Sequence, residues 1–412
     1  MVSRRAAAAG GLALVLVTAL LTWRIVTAFP GGLSGPRGEG AAVAAVASGL
    51  RVIERRSLVP PNPQRLAAAV LEAAVSSLRD PHSSYLGPAA YAALRGAAAG
   101  RYSGVGIAVV QDAAGYPVVD RVVAGSPAAL AAPRGAPPGR APGLRPGDRL
   151  LSVNGRSIVG TDGATVRALL AGPAGTEVTL RILRPARARP AAAEQLTFTM
   201  VRRVLTVSAL TWRALPGGVG DIAIAAFNAR TPLEMASAVR ALRARHVTGM
   251  VIDLRDDPGG LVSAAEQVAR YLLPGGVVAY LQPRSGVRVP LPVPRPLLPL
   301  GVPYVVLVNG YSASAAELLA AAVQDDRAAP LVGERTFGKG SVQQIFPLPG
   351  GGALKLTVAH YITPGGRDVD AVGVRPDVEV AFPRATPARL GHLATDPQLA
   401  AAVALLARKA AA

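Results

Sequence analysis

The sequence contains no cysteine, which excludes disulfide bonds, thiolate nucleophiles and cysteine-based zinc sites but does not fix the compartment. Aromatic residues make up only 4% of the chain, and no run of basic residues is interleaved with them. The formal net charge is +19, yet the arginines are dispersed. This pattern predicts a solvated basic surface or attraction to anionic lipid headgroups, and it argues against nucleic-acid binding.

Lysine is also scarce, because nearly all the positive charge is arginine and the only lysines are Lys339, Lys355 and Lys409. Arginine stays protonated in proteins, whereas a buried lysine can lose its proton and act as a base. Lys339 lies between two glycines and is therefore the candidate base, although the other two show that lysine also occurs elsewhere. The 4 histidines form no cluster that predicts a metal site.

The length of 412 residues, without an internal repeat, predicts two to four domains. Residues 1–28 carry two early arginines and an apolar run over 6–23, which predicts a signal peptide or membrane anchor, with the bulk of the chain outside the cytoplasm. Residues 29–40, rich in glycine, predict a linker. Residues 41–99 predict an N-terminal helical region from their helical apolar spacing.

Residues 100–204 change to strand-like segments separated by glycine turns. A glycine loop, S-G-V-G-I, precedes an apolar strand; G-S-P-A-A (125–129) and L-R-P-G-D (144–148) follow in order. Such a loop can turn several backbone N–H groups towards a carboxylate, and the next strand can accept an added peptide strand. The region closely resembles a PDZ domain. The candidate substrate-binding residues are Ser103, Gly104, Val105, Gly106 and Ile107.

Residues 205–385 predict an α/β core, and residues 386–412 a C-terminal helical tail. Strand-like segments alternate with helix-like segments, which is typical of stacked ββα-type units. The strand candidates are 219–227, 249–255, 276–282 and 302–309. The connection 283–303 contains too many prolines for a central strand. The predicted fold class is therefore multidomain α/β with an inserted, β-rich PDZ-like module.

Residues 309–343 admit three chemistries. A phosphate loop is disfavoured, because Gly340 stands where the motif needs a hydroxyl and the next segment is strand-like. A serine–histidine pair stays open, since His360 could fold near Ser314, although no G-x-S-x-G motif is present. The third is a serine activated by lysine: Ser314 follows a strand, Lys339 lies 25 positions later, and Gln343 could orient the lysine.

The same stretch resembles the C-terminal processing peptidases, also called tail-specific proteases. Their pattern N-x-x-S-A-S-A-S-E, followed by T-F-G-K-G-x-V-Q, is matched here except at Ala316, where serine is common. The matching residues are Asn309, Ser312, Ala313, Ser314, Ala315, Glu317, Thr336, Phe337, Gly338, Lys339, Gly340, Val342 and Gln343. The resemblance implies Ser314 as nucleophile, Lys339 as base, Gln343 as the partner of the lysine, and Ser312 as a supporting hydroxyl.

The family also places an oxyanion loop, D-L-R-N-N-P-G-G, after a strand. Here the loop reads D-L-R-D-D-P-G-G over residues 253–260, so Asp256 and Asp257 replace two asparagines. The implied oxyanion donors are the backbone N–H groups of Gly259 or Gly260 and of Ala315. Further matches are D-P-H-S-S-Y-L from Asp80, and the segments 361–366 and 373–377.

The resemblance implies a crotonase/Clp-like protease core and a serine endopeptidase of the bacterial cell envelope, periplasmic or otherwise extracytoplasmic. The PDZ module would hold accessible C-terminal tails of protein or peptide substrates, and no metal, nucleotide or other cofactor is implied. Membrane association through the N-terminal segment is expected, and homo-oligomerisation stays open. Two alternatives remain: an inactive PDZ scaffold that only binds tails, and a hydrolase that depends on His360.

Overall fold

The computed structural model describes residues 39–112, 114–137, 143–186, 193–295, 300–383 and 391–411. The predicted export segment or anchor at 1–28, and all but the end of the linker, lie outside the described residues. Within these ranges, no helix combines the length and the apolar character that crossing a membrane requires.

The N-terminal region is helical, as predicted, and one short strand interrupts it. Asn62 caps the second helix by accepting the Arg65 N–H at 3.0 Å, and proline follows it at the first helical position, where its missing N–H costs nothing. The elements are α1 (Glu39–Arg56), α2 (Pro63–Ser76), β1 (Ser84–Leu86) and α3 (Pro88–Ala98).

The PDZ-like region forms one sheet in the order β3-β4-β5-β7-β8, with β6 beside β5 and a separate β2–β9 pair. Alternate residues of its strands point inward, as in Val178, Leu180 and Ile182, which are buried. Because β3 is an edge strand, its outer side can accept a peptide strand. The elements are β2 (Arg101–Gly104), β3 (Ile107–Gln111), β4 (Pro117–Val122), α4 (Pro127–Leu130), β5 (Arg149–Val153), β6 (Arg156–Ser157), α5 (Gly163–Leu170), β7 (Glu177–Arg184), β8 (Glu194–Val201) and β9 (Arg203–Thr206).

The region that follows the PDZ-like sheet, from β10 to α9, contains most of the α/β core. Its elements are β10 (Leu210–Leu215), β11 (Val219–Ile224), α6 (Thr231–Arg243), β12 (Gly249–Asp253), α7 (Val262–Leu272), β13 (Val277–Pro283), β14 (Val289–Pro292), β15 (Tyr304–Val308), α8 (Ala315–Asp325), β16 (Leu331–Gly333), β17 (Ser341–Pro347), β18 (Ala353–Ile362), β19 (Val378–Glu379) and α9 (Pro397–Ala411). The main sheet has the order β10-β11-β12-β15-β16-β19. Its strands from β11 to β19 are parallel. The predicted multidomain α/β class is thus confirmed.

A second sheet has the order β1-β18-β13-β14, with β17 also paired to β18. The strand predicted at 276–282 is therefore present as β13, but it belongs to this antiparallel sheet and not to the main one. Within the Pro-rich connection 283–303, β14 forms an edge strand, where proline does not interrupt a hydrogen-bond ladder on both sides.

The order of the main sheet positions the site. Strands β12 and β15 are parallel neighbours, so the turns that leave their carboxyl ends meet at one edge. The Leu254 N–H donates to the Leu307 carbonyl at 2.9 Å across this edge. The predicted oxyanion loop after β12 therefore lies beside the predicted nucleophile turn after β15.

The C-terminal segment contains a helix, α9, which packs on one face of the main sheet. Its residues Leu399, Ala402 and Leu406 are buried in one cluster with residues of β11, β12, β15 and β16. A buried ion-pair group ties the chain before α9 to the sheet: the Arg255 guanidinium binds Asp253 at 2.7 Å and Asp396 at 2.8 Å.

Arg255→Ala should lower the free energy of unfolding by about 3–5 kcal/mol, because it removes the cation that pairs with two buried carboxylates and leaves their negative charges uncompensated. Arg375→Ala, which breaks an exposed i,i+4 pair with Glu379, should leave the urea midpoint unchanged. Urea unfolding followed by tryptophan fluorescence measures both, since Trp212 lies on β10. Equal effects of the two substitutions would contradict this account.

Candidate active site

Ser314 occupies the N-cap of α8 with φ 55° and ψ −115°. This conformation is rare for a residue with a side chain and costs about 1–3 kcal/mol, so the surrounding structure has to impose it. Its neighbours Ala313 and Ala315 are buried, whereas Ser314 itself is half-buried. The strained turn therefore presents a serine at a helix N-terminus, where developing negative charge is favoured.

The Glu317 carboxylate holds this turn against the loop of Lys339. Its Oε2 accepts the Ser314 N–H at 2.9 Å and the Lys339 N–H at 2.8 Å. Its Oε1 accepts the Gly338 N–H at 2.7 Å and the Thr336 hydroxyl. Glu317 is 0% exposed. One carboxylate oxygen thus joins the backbone of the predicted nucleophile to that of the predicted base.

Lys339 is half-buried, and burial is the main reason why its pKa is lowered. The positive charge of Lys355 lowers this pKa further, while Glu317 opposes the change. Gly338, directly before Lys339, allows the loop to pack tightly. It has φ +91°, and a Cβ there would lie 3.0 Å from the backbone nitrogens of Val372 and Gly373. The site therefore shifts the equilibrium of Lys339 towards the neutral amine, which a lysine base needs.

Gln343 is positioned by two hydroxyl groups. Its Nε2 donates to Ser341 Oγ at 3.0 Å and to Thr357 Oγ1 at 3.2 Å. Across the described ranges, no hydrogen bond joins Gln343 to Lys339. The Thr357 N–H in turn donates to Ser83 Oγ at 3.0 Å, so the N-terminal region contacts the strand that supports Gln343.

The segment that begins at Asp80 is a compact turn. Asp80 accepts the His82 N–H at 2.9 Å and the Ser83 hydroxyl. Burial alone would raise the pKa of Asp80, but hydrogen bonds from Ser83, Thr357 and His82 outweigh burial and hold that pKa at about 2. These contacts are local, as expected for a turn between helices, and His82 contributes its backbone N–H to them.

The predicted oxyanion loop lies against Ser314. Gly259 has φ +91°, and a Cβ there would lie 2.8 Å from Ala315 N and 2.9 Å from Ser314 Cβ. The Gly259 N–H donates to Asp257 Oδ1 at 2.8 Å. The Gly260 N–H has no acceptor in the described part of the chain, and Gly260 is exposed. The structure thus brings Gly259 and Ala315 together, and Gly260 follows at the surface.

Ser312 stabilises the nucleophile turn through two hydrogen bonds. Its Oγ donates to the Leu254 carbonyl at 2.8 Å and accepts the Asn309 N–H at 3.0 Å. It is fully buried. These bonds tie the end of β15 to the end of β12, which leaves Ser314 as the serine that substrate can reach.

His360 does not face Ser314. Its side chain is 47% exposed, and Nδ1 lies 3.8 Å from Asp370 Oδ2. The next residue, Tyr361, is buried, and its hydroxyl donates to the Ser314 carbonyl at 3.4 Å. Successive side chains of a strand point to opposite faces, so β18 directs the tyrosine, and not the histidine, towards the nucleophile turn.

Two of these residues had no predicted role, namely Glu317 and Tyr361. The spacing of Ser314 and Glu317 is that of a capping box, which could have indicated the first contact of Glu317. Nothing local in the sequence indicates its bonds to residues 336–339. Among the described residues, no group of three or more carboxylate or imidazole side chains is arranged to hold a metal ion.

The predicted substrate-binding loop of the PDZ-like region joins two strands. Ser103 and Gly104 end β2, Val105 is buried, and Ile107 begins the edge strand β3. The Gly106 N–H donates to the Tyr102 hydroxyl at 3.3 Å. The loop therefore lies at the start of the edge strand with which a bound peptide would pair.

Two models of known protein families match parts of this chain. The family model "Peptidase family S41" matches residues 218–380, which hold Ser314 and Lys339. The model "PDZ domain" matches residues 135–184, which include β5, β6 and β7 of the sheet that also contains β3.

A carboxyl-terminal-processing protease of Synechocystis sp. is 34% identical over 343 residues, which are 82% of this chain and 76% of that protein. The chloroplastic C-terminal processing peptidase of Tetradesmus obliquus is 33% identical over 74% of this chain, an alignment that spans 65% of the algal protein. The solved structure of a photosystem II D1 C-terminal processing protease aligns with a TM-score of 0.51 at 30% identity, covering 82% of this chain and 88% of that one. The chain belongs to the carboxyl-terminal processing proteases, PDZ-containing serine peptidases of family S41.

Glu317→Ala should lower the free energy of unfolding by about 3–5 kcal/mol, because four donors, two of them buried and two half-buried, lose a charged acceptor. Glu317→Gln keeps one acceptor oxygen and should cost less. The exposed Glu72→Ala on α2 is the matched control and should leave the urea midpoint unchanged. A Glu317→Ala protein as stable as this control would show that the carboxylate does not hold the two loops together.

Proposed function

We propose that the protein is an extracytoplasmic serine endopeptidase in which Ser314 is the nucleophile and Lys339 the general base. The observation that carries this proposal is the shared carboxylate: Glu317 Oε2 accepts the backbone N–H of both residues. The strain at Ser314 and the lowered pKa of Lys339 support it, because both are features that a structural turn and a surface lysine would not need.

In the proposed acylation step, Ser314 Oγ attacks the peptide carbonyl carbon while its proton passes to the neutral Lys339 Nζ. The carbonyl oxygen becomes an oxyanion, and the N–H groups of Ala315 and Gly260 stabilise it. Gly259, whose N–H donates to Asp257, positions this loop. The C–N bond then breaks as the Lys339 ammonium protonates the leaving amine. Water hydrolyses the ester, with the same lysine as base.

Gln343 orients the lysine in this proposal. Its amide nitrogen donates to two hydroxyls, so its carbonyl oxygen is the atom left to accept a hydrogen bond from Lys339. Hydrogen bonds between catalytic groups often tighten only when substrate is bound. We infer that the lysine turns between Gln343 and Ser314 during turnover.

Substrate selection is assigned to the PDZ region. A C-terminal carboxylate would bind at the glycine loop that starts with Ser103, and the peptide would add to the free edge of β3. The extracytoplasmic location rests on the basic and apolar pattern of residues 1–28, and bacterial and chloroplastic relatives are compatible with it. Membrane association through that segment belongs to the same proposal.

The second candidate function is a scaffold that binds C-terminal tails without cleaving them. Asp256 and Asp257, which replace asparagines in the oxyanion loop, are the observation that favours it. The exposed Asp256 accepts a hydrogen bond from the Asn309 side chain. The protonation state of Asp257 therefore decides how much negative charge lies beside the oxyanion.

Ser314→Ala and Lys339→Ala should each reduce cleavage of fluorescein-labelled casein by at least about 10³-fold, because both remove a group that acts in the transition state. His360→Ala is the matched control and should keep activity. Binding of casein without cleavage by the unmutated protein would favour the scaffold. Loss of activity in His360→Ala alone would favour a histidine-dependent hydrolase.

Lys355→Met should move the rising limb of the pH profile of kcat/KM to higher pH. The charge of Lys355 lowers the pKa of Lys339, so its removal raises that pKa, and a higher pH is then needed to obtain the neutral amine. Lys409→Met, an exposed lysine on α9, serves as control and should leave the profile in place. A limb that stays fixed, or moves to lower pH, in Lys355→Met would contradict the role of Lys339.

A further inference from the structure

The oxyanion loop contains a buried carboxyl group whose second oxygen has no partner. The Asp257 side chain is 0% exposed, and its Oδ1 accepts the Gly259 N–H at 2.8 Å. Its Oδ2 is buried, and no described residue hydrogen-bonds to it. An isolated carboxylate is very costly to bury, and a neutral acid costs much less. The surroundings of Asp257 therefore favour the protonated form.

The charged groups on the same turn do not compensate a negative charge on Asp257. The Arg255 guanidinium is engaged by Asp253 and Asp396. Asp256 is exposed and accepts the Asn309 side-chain N–H at 2.8 Å. Neither the arginine nor the second aspartate contacts the Asp257 carboxyl in the described ranges.

The elements packed against the turn offer no cation either. Glu317 on α8 accepts N–H and hydroxyl groups only, and Lys339 forms no ion pair with Asp257 in the part of the chain described. Burial consequently raises the pKa of Asp257 to about 8, and the Gly259 N–H opposes this only in part.

Asp257 lies next to the reacting atoms of the proposed mechanism. Its own carbonyl accepts the Ala313 N–H at 2.9 Å, directly before Ser314. The glycine that its side chain holds lies against the Ala315 nitrogen. A negative charge on Asp257 would therefore oppose an oxyanion formed beside Ala315 through a medium that screens charge poorly.

We propose that Asp257 is a positioning residue that works as a neutral carboxylic acid, holding Gly259 through Oδ1, and that its ionisation abolishes oxyanion stabilisation and sets the alkaline limit of activity. This inference rests on the proposed peptidase function. It explains how aspartate can stand where the family uses asparagine: the protonated acid, like the amide, offers one neutral acceptor oxygen. It also separates the two aspartates, because the exposed Asp256 does not share this environment.

The test is the pH profile of kcat/KM for fluorescein-labelled casein between pH 6 and pH 10, for the unmutated protein, Asp257→Asn and the control Asp256→Asn. The unmutated protein and Asp256→Asn should lose activity above pH 8, by about tenfold at pH 9, in proportion to the protonated fraction. Asp257→Asn keeps the acceptor and should keep its activity at pH 9. Superimposable alkaline limbs in Asp257→Asn and the unmutated protein would overturn the proposal.

A second measurement does not depend on activity or on the folding of Asp257→Asn. In Ser314→Ala protein labelled with ¹³C-aspartate, one carboxyl signal should titrate near pH 8. The absence of any such signal would overturn the inference whatever the kinetics show. Failure of the unmutated protein to cleave casein at every pH would instead count against the peptidase function, while the carboxyl titration would still decide the protonation of Asp257.

Discussion

The site depends on one buried carboxylate. Glu317 belongs to the first turn of α8, yet it binds the N–H groups of a loop more than twenty residues later along the chain. A charged acceptor with several donors is among the stronger interactions that a protein interior offers. It fixes the strained backbone of Ser314 and the backbone of Lys339 relative to each other.

The rest of the fold serves this contact. Two parallel neighbours, β12 and β15, deliver the oxyanion loop and the nucleophile turn to the same edge of the sheet, and Ser312 binds the two turns together. The buried Arg255 group fixes α9 to the far face of the sheet. The N-terminal region reaches the site through Ser83 and the strand that holds Gln343.

The sequence predicted the pair Ser314 and Lys339 because both residues stand in dense local motifs at a fixed spacing. It also recovered the α/β class, since strand and helix periodicities are local. It predicted β13 as a strand but assigned it to no sheet, because alternation along the chain does not say which strands pair. The bonds of Glu317 to residues 336–339 and of Tyr361 to Ser314 could not be predicted either, because these partners are distant in sequence and adjacent only after folding.

The central claim is that burial keeps the Lys339 amine neutral enough to act as a base. The chain has three lysines, so ¹³C-lysine NMR of Ser314→Ala protein gives few signals, and Lys339→Arg assigns the relevant one. The account predicts that the Lys339 side chain titrates clearly below the usual lysine value of about 10.4. A Lys339 signal that titrates at that ordinary value would contradict it.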